Sequence, residues 1–144
     1  MLIKFGDIFT GVEPGEVLAH GCNKQGVMGS GIAAAIKHQH PKAYVEYSKH
    51  VHASDMGDVI TAKSRGIIIA NCITQEYYGR DLYTRYVSYD AVDTAFKTLS
   101  AFKEVVNFPL IGGGLGNGNP NILKTIFESY FPKDNGVLWI YKET

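Results

Sequence analysis

Two glycine-rich stretches carry the clearest chemical signal in this 144-residue chain. The first, His20–Ile36, reads HGCNKQGVMGSGIAAAI, and Gly26, Gly29 and Gly31 leave the backbone bare just ahead of an alanine-rich helical pattern. Glycine permits positive φ and close approach of the main chain to a ligand, and free N–H groups at a helix start favour anions. No Gly-Lys-Ser/Thr follows at Walker spacing, and a tight turn without a ligand would produce the same pattern. The second stretch, Ile111–Pro120 (IGGGLGNGNP), has five glycines in ten residues. An ordinary turn needs one or two, and ordering five costs backbone entropy. Its successive N–H groups can form a nest around a phosphate. Asn119-Pro120 also reads as the cap and first residue of a following helix. The paired loops point to a nucleotide diphosphate held between them.

The elements that must position these loops alternate. Strand-like runs occur at Val17–His20, Ile67–Ile73, Val105–Ile111 and Val137–Tyr141, with weaker ones at Leu2–Phe5 and Asp58–Ala62. Ile67–Ile69 lacks polar alternation, as suits a strand buried on both faces. Helical patterns fall at Ile32–His38, Pro41–His50, Ser88–Phe102 and Ile122–Tyr130. In Ser88–Phe102, Val92, Ala95, Phe96 and Leu99 form one apolar stripe. The alternation predicts an α/β fold, a three-layer α/β/α sandwich around a mixed, largely parallel sheet. Ligands in such folds bind beyond the carboxyl ends of the strands, and both glycine loops follow predicted strands.

Composition narrows the partners. Fourteen basic residues balance fourteen acidic ones, so no overall positive field draws the chain to nucleic acid or anionic lipid, and any bound phosphate must be held locally. Cys22 and Cys72 sit in apolar surroundings and read as buried free thiols, with a disulfide as the alternative. No apolar run approaches the roughly 20 residues of a membrane span. With no basic-apolar leader, the expectation is a soluble, cytoplasmic, monomeric single domain over residues 1–144. No Cys/His spacing suits zinc and no carboxylate cluster suits magnesium, so chemistry without metal or cofactor is expected. His38, His40, His50 and His52 fall on or beside the helical patterns.

Taken together, these segments resemble the macro domain family over almost the whole chain. Gly6-Asp7-Ile8 is similar to the family's GDI signature, whose Asp contacts the adenine amino group. Ala19–Ile32 resembles the first phosphate loop, which implies that Gly29, Ser30, Gly31 and Ile32 touch the ligand and that Asn23 faces the distal ribose. Ile111–Asn117 resembles the second loop, so that Ile111, Gly112, Gly113, Gly114, Leu115, Gly116 and Asn117 would wrap the diphosphate. Tyr141 ends the last strand, where aromatics of the family stack on adenine. Taken singly, Asp7 is better explained by a turn and Tyr141 by a half-buried strand position, and the ordered combination carries the resemblance. The implied ligands are ADP-ribose and ADP-ribose-1″-phosphate.

The branch decides the chemistry. The HGCN…GVMGSGIA pattern is similar to the branch holding ADP-ribose-1″-phosphate phosphatases and the terminal and DNA ADP-ribose glycohydrolases. In those glycohydrolases a Lys after the strand matching Ile67–Ile73 acts as covalent nucleophile. Here Gln75 stands in its place, and an amide cannot form a Schiff base. Where that branch often has Asp in Gly-Gly-Asp-Trp, this chain has Asn119-Pro120. Thr74–Val92 instead resembles the phosphatase-like members, which implies that Gln75, Tyr78, Gly79, Arg80 and Thr84 line the distal end. Arg80 or Arg85 would then hold the terminal phosphate bidentately, a solvated loop charge being the alternative for each. His20, at the end of the strand feeding the first loop, is the acid/base candidate, with Asn23 and Gln75 orienting ribose or water. A satisfied histidine at the sheet edge is the competing reading. Three functions remain open: a phosphatase, a non-catalytic ADP-ribose binder, and a deacylase or glycohydrolase using activated water.

Overall fold

The computed structural model describes residues 1–141. Six strands form one sheet: β1 (Leu2–Phe5), β2 (Val17–Asn23), β3 (Val59–Ser64), β4 (Ile67–Gln75), β5 (Val106–Phe108) and β6 (Gly136–Ile140). Their spatial order is β1-β6-β5-β2-β4-β3. All neighbours are parallel except β3, which returns antiparallel to β4. The mixed, mostly parallel sheet expected from the alternation is therefore present, with helices on both faces.

The helices are α1 (Ile8–Gly11), α2 (Gly31–Gln39), α3 (Pro41–His50), α4 (Tyr89–Leu99) and α5 (Pro120–Tyr130), with a 3-10 turn at Val51–Ala53. Local chemistry starts them. Ser88 caps α4 by accepting from the Ala91 N–H, and Asn119 caps α5 by accepting from Asn121 and Ile122. Proline occupies the first position of α3 and α5, where its missing N–H costs nothing.

On one face, the α4 stripe and α5 enclose an aromatic cluster. Phe96 stacks on Phe127 at 4.4 Å and meets Phe108 edge-on at 5.0 Å, and all three rings are fully buried. On the other face, α2 and α3 pack on alternate residues of the same strands: Leu18, Ile69 and Ile73 contribute here, while Val17, Ala19 and Cys72 face α4 and α5. This alternation is the strand's two-residue period expressed in a sheet covered on both sides. No helix among the described residues is long and apolar enough to cross a membrane.

Several boundaries differ from the sequence expectation, among them β4, which reaches Gln75 rather than Ile73, and α4, which ends at Leu99 rather than Phe102. β2 runs on to Asn23, beyond His20, because β4 continues alongside it. β5 stops at Phe108, because Pro109 has no N–H to donate to a ladder. The turn of helix α1 was not signalled by periodicity, being only four residues long.

Candidate functional site

All five parallel strands end on the same side of the sheet, and a cleft of about 460 Å³ opens beyond β2, β4 and β5. Its floor comes from strand ends. Asn23 and Gln75 are register partners across β2 and β4, reached through a bulge after Cys22. Gly21 is required beside them: a Cβ there would lie 2.9 Å from the Thr74 hydroxyl and 3.1 Å from Ile111.

The Asn23 amide organises the first loop. Its Oδ1 accepts from the Gln25 N–H at 3.0 Å and the Val27 N–H at 3.3 Å, and the Tyr47 hydroxyl, which donates to the Asn23 backbone carbonyl, also lies 3.0 Å from it, while Nδ2 donates to the Val27 carbonyl at 2.9 Å. With its oxygen committed, only the second Nδ2 proton is left to face the cleft. The loop is stitched to β4 by Lys24 N–H to the Gln75 carbonyl, 2.9 Å, and by Gln25 Nε2 to the Glu76 carbonyl, 3.0 Å. It ends at Ser30, the unbonded N-cap of α2. Gly29, Ser30, Gly31 and Ile32 line the cleft, and the first N–H groups of α2 have no acceptor within the helix.

The second loop supplies the opposite wall through Ile111, Gly112, Gly114, Leu115 and Gly116. Its glycines do different work. Gly112 has φ +85° and a Cβ would strike Val87 at 2.5 Å, so the turn itself requires it. Gly114 has an ordinary φ and nothing within 4 Å, so neither strain nor crowding calls for glycine there. A side chain there would stand in open space at a position that lines the cleft. The N–H groups of Gly114, Leu115 and Gly116 have no acceptor among the described residues.

Arg80 is the single formally charged residue among those lining the cleft, and it has no ion-pair or hydrogen-bond partner among the described residues. Tyr78 and Gly79 lie beside it, and the Gln75 amide donates to the Tyr77 carbonyl at 2.8 Å. Arg85, the other phosphate candidate, instead lies over the Tyr89 ring at 4.2 Å. Thr84 does not line the cleft and offers its carbonyl to Asn117.

Several expected site residues do not line this cleft. His20 is fully buried in the sheet and faces α3, because residues alternate along β2 and Gly21 and Asn23 take the positions toward the opening. Burial lowers its pKa to about 4, a shift only partly offset by its hydrogen bond to Asn71. A ring that stays neutral and out of reach of the cleft is corrected from acid/base candidate to core histidine. The Cys22 sulfur is 3.6 Å from its Nε2 and 3.8 Å from its Nδ1. These near-equal distances put it over the ring face rather than in line with a nitrogen. Burial also pushes the Cys22 and Cys72 thiols well up, and both are free.

Asp7 caps α1, accepting from the Phe9 N–H at 2.9 Å, and the Ile8 side chain packs into the core. Tyr141 is exposed just beyond β6, next to the Gly6–Asp7 turn that follows β1. These three stand at the same edge of the sheet as the cleft but outside its lining. Gly113 packs against Leu110, and Asn117 turns away from the cleft toward residues 81–84. Asn119 acts as the α5 cap. Sequence reasoning passed over Tyr47 beneath Asn23, and Thr74, Pro109 and Leu110 in the lining. Tyr47 was legible only as one apolar position of α3.

The doubly covered sheet and its two glycine loops define a class that comparison confirms. The macro domain family matches residues 19–126, and the chain belongs to that family. An uncharacterized 17.5 kDa protein from the tk-vs intergenic region of Enterobacteria phage T4 is 31% identical, across 92% of both chains. The ADP-ribose 1''-phosphate phosphatase of Candida albicans is 29% identical, across 76% of this chain and 80% of its own. Among solved structures, Thermosipho africanus DarTG in complex with ADP-ribose superposes on all of this chain and 43% of its own, with TM-score 0.77 and 18% identity.

Proposed function

We propose that this protein binds ADP-ribose with its diphosphate between the two glycine loops and hydrolyses ADP-ribose-1″-phosphate to ADP-ribose and phosphate. The observation that carries the reading is Arg80, without a partner among the described residues, in an otherwise uncharged cleft walled by backbone N–H groups that likewise have no acceptor among them. A neutral nucleoside would need no such cation, and a bare diphosphate would find its charge balance in the loops. The name of the Candida relative and the ADP-ribose held by the Thermosipho neighbour support the same ligand.

The order of strands orients the ligand. Arg80 follows β4, while Asp7 and Tyr141 follow β1 and β6. β4 and β6 are three strand spacings apart, about 14 Å. In this reading the adenosine lies toward Asp7 and Tyr141, and the distal ribose lies over Asn23 and Gln75 with its phosphate on Arg80. Water attacks phosphorus, the bond to the anomeric oxygen breaks, and that oxygen leaves with the electron pair and takes up a proton. Arg80 and the Asn23 and Gln75 amides hold the phosphate and the water, which leaves positioning and charge stabilisation as the main contributions. A cytoplasmic monomer of one domain, without a nucleic-acid partner, belongs to the same reading, and the balanced charge supports the last of these alone.

One observation favours a second reading, a module that binds ADP-ribose without turnover. No histidine and no carboxylate lines the cleft among the described residues, so water or the Tyr78 hydroxyl would have to supply the proton. The glycohydrolase reading has Gln75 against it. Incubation with ADP-ribose-1″-phosphate and assay of free phosphate separates the two. Release that Arg80→Ala abolishes supports the phosphatase; calorimetric ADP-ribose binding with no release leaves the binder. Absence of any ADP-ribose binding would sink both.

A further inference from the structure

Arg80 lies in a segment, residues 76–87, that has neither helix nor strand to hold it. Backbone bonds tie the segment's far end to Thr74 and Gly116, and two side chains pin the residues on either side of Arg80. On one side, the Tyr86 ring lies against Gly79 so closely that a Cβ there would come within 2.3 Å of the hydroxyl and 2.7 Å of Cζ. The Tyr86 hydroxyl also accepts the Asp81 N–H at 3.2 Å. On the other side, Asn117 reaches out of the second glycine loop. Its Nδ2 donates to the Asp81 carbonyl at 2.8 Å and to the Thr84 carbonyl at 2.7 Å.

Both protons of that amide go to the Arg80-bearing segment, and the glycine loop is closed without it, by backbone bonds from Asn117 to Gly114 and from Gly118 to Gly112. Asn117 has φ +58°, a left-handed conformation that asparagine tolerates better than most residues. The Tyr86 and Val87 N–H groups both donate to the Gly116 carbonyl, completing the tie between segment and loop. The wall with free N–H groups and the cleft's one cation therefore form a single braced unit.

We propose that Asn117 and Tyr86 are positioning residues that set the cleft's preference for a ligand with a terminal phosphate monoester over the same ligand without it. They do so by holding the Arg80 backbone at a fixed offset from the loop that grips the diphosphate. This rests on the ADP-ribose and Arg80 reading above. Loss of the brace leaves the diphosphate wall standing, because that wall closes through its own backbone bonds, but lets the guanidinium wander.

The test compares wild type with Asn117→Gly, which keeps the positive φ and removes both donors, and with Tyr86→Phe, which keeps the ring on Gly79 and removes the acceptor. Calorimetry measures affinity for ADP-ribose and for its carbon-linked 1″-phosphonate, which cannot be hydrolysed. Asn117→Gly lowers the phosphonate-to-ADP-ribose affinity ratio about ten-fold and Tyr86→Phe about three-fold, while in an Arg80→Ala background neither changes it. Amide hydrogen exchange of residues 81–87 in the ligand-free protein rises in Asn117→Gly. Equal loss for both ligands, an unchanged ratio, or an effect that persists without Arg80 overturns the proposal. Wild-type protein that binds neither ligand overturns the nucleotide reading instead, and the exchange measurement still decides whether Asn117 holds the segment.

Discussion

The Nε2 of His20 lies 2.6 Å from Oδ1 of Asn71, its register partner on β4, and both side chains are fully buried. The Asn71 amide donates to the Ala43 and Ile60 carbonyls at 3.3 and 3.0 Å, which fixes its oxygen toward the histidine. His20 must then donate, which puts a proton on Nε2, and burial keeps the ring neutral. This pair fastens α3 and β3 to the centre of the sheet.

It also makes stability depend on pH. With its folded pKa lowered to about 4, His20 is protonated first in the unfolded chain, near its ordinary 6.5. The stability tied to the neutral ring is complete above pH 6.5 and is lost as pH falls from there to about 4, amounting to about 3 kcal/mol. His40, lowered by burial and by the neighbouring Arg65 charge, acts in the same direction. Urea unfolding at a series of pH values checks this, and a midpoint that stays flat between pH 6.5 and 4.5 would contradict it.

The two loop glycines separate folding from binding. Gly112→Ala forces a left-handed backbone on alanine and drives its methyl into Val87, costing more than about 2 kcal/mol. Gly114→Ala meets no atom within 4 Å, so its melting temperature stays near wild type while ADP-ribose affinity falls about ten-fold or more. Thermal melts and calorimetry on the two variants check the pair. Tight binding by Gly114→Ala would place the diphosphate elsewhere.

Arg80→Lys keeps the charge but loses the planar fork. It retains part of the phosphate-dependent affinity, whereas Arg80→Ala loses about 1.5–3 kcal/mol of it. The rate of phosphate release as a function of ADP-ribose-1″-phosphate concentration reports both. Equal activity in all three proteins would remove Arg80 from the site.

Phe96 touches Phe108, Phe127 and Phe131 in the fully buried cluster under α4. Phe96→Ala therefore destabilises by about 3–5 kcal/mol through lost burial and the cavity left behind. Chemical denaturation measures this, and a loss below about 1 kcal/mol would mean the cluster collapses around the gap.

Local order in the sequence determined a good deal by itself. The apolar stripe of Val92, Ala95, Phe96 and Leu99 gave α4, proline and asparagine gave the start of α5, and the unalternating Ile67–Ile69 run marked a strand covered on both faces. Five glycines in ten residues marked the second loop, because glycine density is a local property of the backbone. Only the tertiary structure decided which way individual side chains point. His20 is buried against a helix while Asn23 meets the cleft, and the bulge that pairs Asn23 with Gln75 is announced by no periodicity. Arg80 and Arg85 are alike in sequence, and the Tyr89 ring and the Asn117 brace separate them. Those choices depend on partners dozens of residues away, which are brought alongside only when the sheet assembles.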